Sequence, residues 1–187
     1  MKVVAIVGMA GAGKTEVAKF FVEAGFTRIR FGQITDDEIA RRGLQLNEAN
    51  ERHIRELLRQ EHGMAAYAKL NLPRIDTALK TSPVVADGLY SWEEYLVLKE
   101  RYEMEFSVVA VWASPATRYA RLSRRAIRPL TVEEAQARDK TEIENVNKGG
   151  PIAMADFTII NDNISLKNLR AQTIKILNKI NNDGHKK

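Results

Sequence analysis

Four residues in one short stretch have the types and spacing for phosphate chemistry. Gly8, Gly13, Lys14 and Thr15 occupy the fixed positions of G-x-x-x-x-G-K-[ST] within VAIVGMAGAGKTEVAKFF, residues 4 to 21. The match lies between an apolar run and an amphipathic run, so the glycines fall in the turn from a strand to a helix. Glycines let such a loop wrap closely. The backbone N–H groups of Met9, Ala10, Gly11, Ala12, Gly13, Lys14 and Thr15 can then face a polyphosphate, reinforced by the positive end of a helix beginning near Lys14. Lys14 is expected to bridge the β- and γ-phosphates, and the Thr15 hydroxyl is the expected protein ligand of Mg²⁺. ATP and Mg²⁺ are the expected cofactors. The plain alternative, a glycine turn followed by a surface lysine, does not need the strand-loop-helix context.

Two further groups could act on a bound phosphate. In PVVADGLYSWEEY, Asp87 ends an apolar run, at the edge where parallel sheets bind ligands. A carboxylate there can hold Mg²⁺ through water or accept the proton of an acceptor hydroxyl; the plainer role is to cap the turn before Ser91. Gly88 reads as a turn residue. Farther on, Arg118, Arg121, Arg124, Arg125 and Arg128 cluster ahead of a second helix carrying Arg138. Guanidinium forks bind phosphate oxygens and stack on bases, so an arginine-bearing lid can close over ATP. On helical spacing Arg118, Arg121 and Arg125 share a face and Arg124 is offset. Arg121 and Arg125 are candidate nucleotide contacts, Arg125 and Arg138 the preferred catalytic pair, and a solvated surface charge is the default for each. A guanine-reading N-K-x-D is absent, because Asn147-Lys148 is followed by Gly149-Gly150.

These residues need a parallel sheet to position them. Short β-rich runs, KVVAIV (2–7), TRIRF (27–31), PVVA (83–86), FSVVAVWA (106–113) and FTII (157–160), alternate with helical stretches. The expected fold is α/β, a three-layer P-loop arrangement of a five-stranded parallel sheet with helices on both faces and a helical lid over about 124–150. All 187 residues are expected to form one domain. Ser91 with Glu94 and Thr131 with Glu134 read as capping boxes, Ser114-Pro115 as a cap before a proline at the first helical position, and Gly25 as a helix terminator. A helical run over 47–79 is expected to overhang the acceptor side. The tail after Ile180 should fray.

Composition narrows the class. The 29 Lys+Arg against 24 Asp+Glu leave +5, which suits anionic ligands without requiring nucleic acid. There is no cysteine, hence no disulfide and no Cys-ligated metal. No apolar run approaches a membrane span, and the amino-terminal run is too short for a signal peptide. A cytoplasmic protein with no membrane partner, a monomer or small homo-oligomer, is expected. His53, His62 and His185 are too scattered for a metal site, and Trp92 and Trp112 read as core. Tyr119 alone makes no stacking platform for RNA.

With these motifs in place, the chain resembles the nucleoside and nucleotide kinase group of P-loop proteins along its whole length. The carboxyl third, RLSRRAIRPLTVEEAQARDKTEIENVNKGGPIAMADFTIINDNISLKNLRAQ, is similar to dephospho-coenzyme A kinase, in which a lid helix precedes an AD-x-x-I-x-N strand and a helix beginning near SL. TDDEIAR (35–41) resembles that enzyme's acidic segment, which implies that Asp37 matches one of its aspartates and Thr35 replaces the other. The middle, RFGQITDDEIARRGLQLNEANERHIRELLRQEHG, resembles an uncharacterised archaeal family of adenylate-kinase-related proteins. Adenylate-kinase-like enzymes grip the acceptor phosphate with GD-x-x-R after the second strand and an arginine after the third-strand DG. Here Gln33, Asp36 and Tyr90 stand at those places. Two lost arginine forks remove several kcal/mol from binding a phosphate dianion, at roughly 1.5 to 3 kcal/mol per charged hydrogen bond. Arg30, Arg55 and Arg59 are candidate replacements, and Asp36 and Asp37 suit an acceptor hydroxyl or a general base.

The expected function is an ATP-dependent phosphotransferase acting on a nucleotide-like small molecule, with dephospho-coenzyme A or a nucleotide as acceptor and Asp87 or Asp37 orienting it. A nucleotide-binding regulatory protein with slow ATP hydrolysis is the alternative. An RNA-associated basic module would be marked by salt-dependent RNA affinity independent of Lys14.

Overall fold

The structure is a computed structural model and describes residues 1–126 and 129–182; Arg128, His185 and the tail from residue 183 lie outside the described residues. Five parallel strands form one sheet in the order β2-β3-β1-β4-β5. They are β1 (Val3–Val7), β2 (Thr27–Arg30), β3 (Val84–Asp87), β4 (Phe106–Trp112) and β5 (Phe157–Ile160). Each expected strand forms, with ends moved by at most one residue. β1 lies at the centre because both its faces are buried: VVAIV is uniformly apolar rather than alternating.

The period of two along β1 sends its side chains to two separate cores. Val3, Ala5 and Val7 pack with Phe31, Tyr67 and Leu98 beneath α2 (Gln33–Arg41), α3 (Glu48–His62), α4 (Ala66–Ala78) and α5 (Trp92–Tyr102). Val4 and Ile6 pack on the opposite face with Phe21 and Leu177 under α1 (Lys14–Glu23) and α9 (Leu166–Asn182). A smaller cluster of Ala10, Leu122 and Ala135 joins the phosphate loop to α6 (Pro115–Ser123) and α7 (Val132–Glu144). The short α8 (Gly149–Ala153) then leads into β5.

Local signals set most boundaries. Thr131 and Glu134 form a complete capping box at α7, and Ser114 caps α6 ahead of Pro115. Ser91 caps α5, but the Glu94 carboxylate reaches one residue farther back, to the Tyr90 N–H at 2.8 Å. Gly25 ends α1 in a positive-φ turn, its N–H meeting Val22 O at 2.9 Å.

Two expectations are corrected. The helical run over 47–79 is two helices, because Gly63 takes φ 79° and closes α3. Trp112 is not core: at 47% exposed it lies past the end of β1, which pairs β4 only as far as Ala110, and its neighbour on β5, Ile160, is 55% exposed. Trp92 is half-buried and stacks on Tyr95 with ring centres 5.0 Å apart. Among the described residues no helix is long and apolar enough to cross a membrane.

Candidate functional site

The loop between β1 and α1 is held from outside by its own carbonyls. Lys14 Nζ donates to Gly8 O at 2.8 Å and Met9 O at 3.0 Å. Arg118 Nη1 donates to Ala10 O at 3.1 Å, Arg121 Nη1 to Gly11 O at 3.4 Å, and Asn161 Nδ2 to Ala12 O at 2.8 Å. Every carbonyl from Gly8 to Ala12 therefore meets a side-chain donor, which fixes the loop while the first N–H groups of α1 lack intrahelical partners. Two glycines are required by shape. Gly8 at φ 141° leaves no room for a Cβ against Val111 O, and Gly13 at φ 101° faces Asn161 Nδ2 in the same way.

Lys14 is the charge centre of this edge. Burial, reinforced by the like charge of Lys148, lowers its ammonium to about 7, against the opposing pull of Glu142 and Asp87; Arg138 lowers it further. The sheet and α7 thus bring Lys14, Asp87 and Arg138 within range of one another's charge. They add Glu142 and Lys148. Lys148 is 2% exposed and pairs with Glu142 at 2.7 Å. Burial raises the Glu142 carboxyl, but Lys148, Arg138 and Lys14 outweigh it and hold the group down to about 2. Arg138 Nε also bonds Glu142, at 3.1 Å. Arg125 stands just past α6 and is lowered by partial desolvation and by the like charge of Arg138.

Asp87 is buried at the carboxyl end of β3 beside Ile6 of β1. Arg28 on β2 binds it through Nε and Nη2, both on Oδ2, leaving Oδ1 directed elsewhere. Thr15 is exposed in the first turn of α1. These are hard oxygen donors, and Mg²⁺ usually takes only one or two protein carboxylates with phosphates and water. The residues fit that ion. Among the described residues no three His, Asp or Glu side chains group as a closed metal cage.

Asp37 is placed apart. It projects from α2 to Gln33 and Arg74, whose hydrogen bonds lower its carboxyl, and it lines a cavity of about 330 Å³ with Glu38, Leu58, Glu61, His62 and Arg74. Arg30 is occupied by Gln33 and Asp36. Arg55 pairs with Glu51 at 3.3 Å. Arg118, expected as one of a set of lid charges, is instead buried at 5% exposure and bonded to Asp139.

Sequence reasoning missed Lys148, Glu142, Arg28 and Glu94. Asn147-Lys148 was legible only as a failed guanine motif; its signal was a lysine and two glycines directly after the lid helix. Glu142 shares a face with Arg138 at i,i+4, and Arg28 is a charge within an otherwise strand-like run. Glu94 was readable as a cap but not as a buried acid: it is fully buried, its carboxyl pushed up to about 7 by burial.

A family model described as an AAA domain matches residues 4–146. The chain is 35% identical over 182 residues to a UPF0200 protein of Thermococcus kodakarensis, covering 95% of this chain and 97% of that one. Among solved structures it is similar to shikimate kinase from Bacteroides thetaiotaomicron, with TM-score 0.61 and 14% identity over 95% of this chain and 98% of that one. It is also similar to dephospho-CoA kinase from Campylobacter jejuni, with TM-score 0.53 and 16% identity over 96% and 97%. At these identities the likeness is one of fold, and the fold is that of the P-loop kinases.

Proposed function

We propose that this chain, which belongs to the UPF0200 family, is a Mg²⁺- and ATP-dependent phosphotransferase acting on a nucleotide-like small molecule, dephospho-coenzyme A being one candidate acceptor. The observation that carries the reading is the half-buried Lys14 at the phosphate loop, whose ammonium Nζ is held by Gly8 O and Met9 O within charge range of Asp87, Glu142, Arg138 and Lys148. Such a constellation fits phosphoryl transfer, where positioning and charge stabilisation supply most of the rate.

In this reading the N–H groups of Met9, Ala10, Gly11, Gly13, Lys14 and Thr15 hold the phosphates, that of Ala12 being engaged by Met9 O at 3.2 Å, and Lys14 turns from its loop carbonyls to the β- and γ-oxygens. Thr15 and Asp87 would hold Mg²⁺, which neutralises phosphate charge when bound. Asp87 orients the acceptor, since its Arg28 contact leaves one carboxylate oxygen available. Arg125 and Arg138 lie on the α7 side and offset charge that develops on the transferred group. Asp37 would meet the acceptor only at the α2 side of the cleft.

The test is ADP release from Mg-ATP with water alone, then with dephospho-coenzyme A, each nucleoside monophosphate and each nucleoside. The expected result is one acceptor raising turnover far above the water rate, with Lys14→Ala reducing it by about 10²-fold or more. Slow Lys14-dependent hydrolysis that no acceptor changes would overturn the kinase reading in favour of a regulatory nucleotide-binding protein.

A further inference from the structure

Away from the phosphate loop, four buried polar atoms lack partners among the described residues, Arg59 Nε, Asn71 Oδ1, Glu93 Oε2 and Glu94 Oε1, and of these Arg59 and Glu94 carry opposite charges that act on each other. Arg59 on α3 is half-buried, and its Nε meets no acceptor. Glu94 on α5 is fully buried; Oε2 accepts from Tyr90 N–H at 2.8 Å, while Oε1 has no donor. An unsatisfied buried donor or acceptor carries a desolvation penalty that a ligand can relieve. The two side chains feel each other's charge, yet no ion pair joins them among the described residues.

The ground between them is aromatic and leads to the phosphate loop. Arg59 Cζ lies 5.4 Å from the Tyr67 ring centre, Tyr67 meets Tyr90 edge-on at 5.6 Å, and Lys148 Nζ lies 5.3 Å from the Tyr90 ring. Lys148 is in turn the strongest charge acting on Lys14. The Tyr67 hydroxyl is engaged with Thr35 Oγ1 at 2.6 Å and its ring is buried, so the half-buried Tyr90 is the ring that a ligand can meet. The strip thus runs from the loop lysine to a distal donor and a distal acceptor.

The complement of one N–H donor and one carboxylate acceptor is a group that accepts and donates at once. A hydroxyl does both. Above pH 7, where Glu94 is ionised, a phosphate dianion would satisfy Arg59 but sit against the Glu94 carboxylate, and an apolar group would leave both atoms unpaired. We propose that Arg59 and Glu94 together bind a hydroxyl of the acceptor, and that the acceptor is therefore a neutral, hydroxylated head group of the pentose or nucleoside kind with its ring against Tyr90. This rests on the phosphotransferase reading and narrows its acceptor.

The experiment is calorimetric binding at pH 8, with Glu94 ionised, to the full chain with Mg²⁺ and a non-hydrolysable ATP analogue. The probes are the four ribonucleosides, their 2′-deoxy and 3′-deoxy counterparts and their 5′-monophosphates. The expected result is that at least one ribonucleoside binds about tenfold or more tightly than one of its deoxy counterparts, and at least as tightly as its monophosphate. Glu94→Gln and Arg59→Lys should each remove that discrimination, with the melting temperature as folding control. If Glu94→Gln fails to fold, Arg59→Lys alone decides, because that side chain is only half-buried. Equal binding of the deoxy compounds, a tenfold preference for a monophosphate, discrimination that survives Arg59→Lys, or no ribonucleoside binding overturns the assignment. Failure of the phosphotransferase reading is scored separately, by loss of acceptor-dependent ADP release while ribonucleoside binding persists.

Discussion

Arg118 on α6 and Asp139 on α7 form a bidentate ion pair, Nη1 to Oδ1 at 2.9 Å and Nη2 to Oδ2 at 2.6 Å, and the same Nη1 holds the Ala10 carbonyl of the phosphate loop. Both residues are under a tenth exposed, so removing one strands the other's charge. Arg118→Ala is expected to lower stability by about 3–5 kcal/mol, read from urea midpoints. Arg118→Met combined with Asp139→Leu should recover more than half of that, because an apolar pair leaves no buried charge. Additive losses in the double variant would contradict the coupling.

Gly13 and Gly25 both take positive φ, but only Gly13 also faces a neighbour where a Cβ would stand. Gly25→Ala should cost about 1 kcal/mol of backbone strain and leave ATP-analogue affinity as in the wild type. Gly13→Ala adds a clash with the Asn161 amide that holds Ala12 O, and is expected to weaken that affinity at least tenfold. Calorimetric titration of both variants gives the comparison; equal losses would mean that the Asn161 contact is immaterial.

Lys14 should titrate far below other lysines. Its folded value near 7 lies below the unfolded 10.5, so the unfolded chain binds more protons between those values. This group's contribution to stability therefore rises with pH across that window, and the penalty is complete below about 7. NMR of ¹³Cε-labelled lysine should show one resonance titrating near 7 that vanishes in Lys14→Ala. An ATP analogue should move its midpoint upward, because phosphate favours the ammonium. A set of lysines all titrating near 10 would refute the burial argument.

Glu94 has the opposite linkage. Its folded value near 7 lies above the unfolded 4.5, so the folded chain binds the extra proton in between. Stability from this group is lost as pH rises through that window and the penalty is complete above 7. Glu94→Gln should therefore gain on the wild type between pH 5 and pH 8, by an amount of up to ~3 kcal/mol. Melting curves at the two pH values measure it, and a pH-independent difference would show that Glu94 stays charged throughout.

The sequence alone determined the parts that depend on local rules. Strand positions follow from apolar runs bounded by turn residues, the α6 and α7 starts from Ser114-Pro115 and the Thr131–Glu134 box, and the phosphate loop from glycines whose backbone geometry no other residue supplies. Asp87 was readable because a polar residue ending a buried strand must lie at the sheet's ligand-binding edge. Tertiary structure decided which charges meet. Arg118 and Arg121 share one helix face and one residue type, yet packing makes Arg118 a buried tie to Asp139 and sets Arg121 on the carbonyls of Gly11 and Asn161. Lys148 comes within charge range of Lys14, and Asp37 turns away to Arg74, for the same reason: the approach of side chains distant along the chain is set by how helices dock on the sheet. Short-range patterns carry no information about that docking. Hydrophobic burial chooses the docked arrangement, and the polar site is whatever that choice brings together.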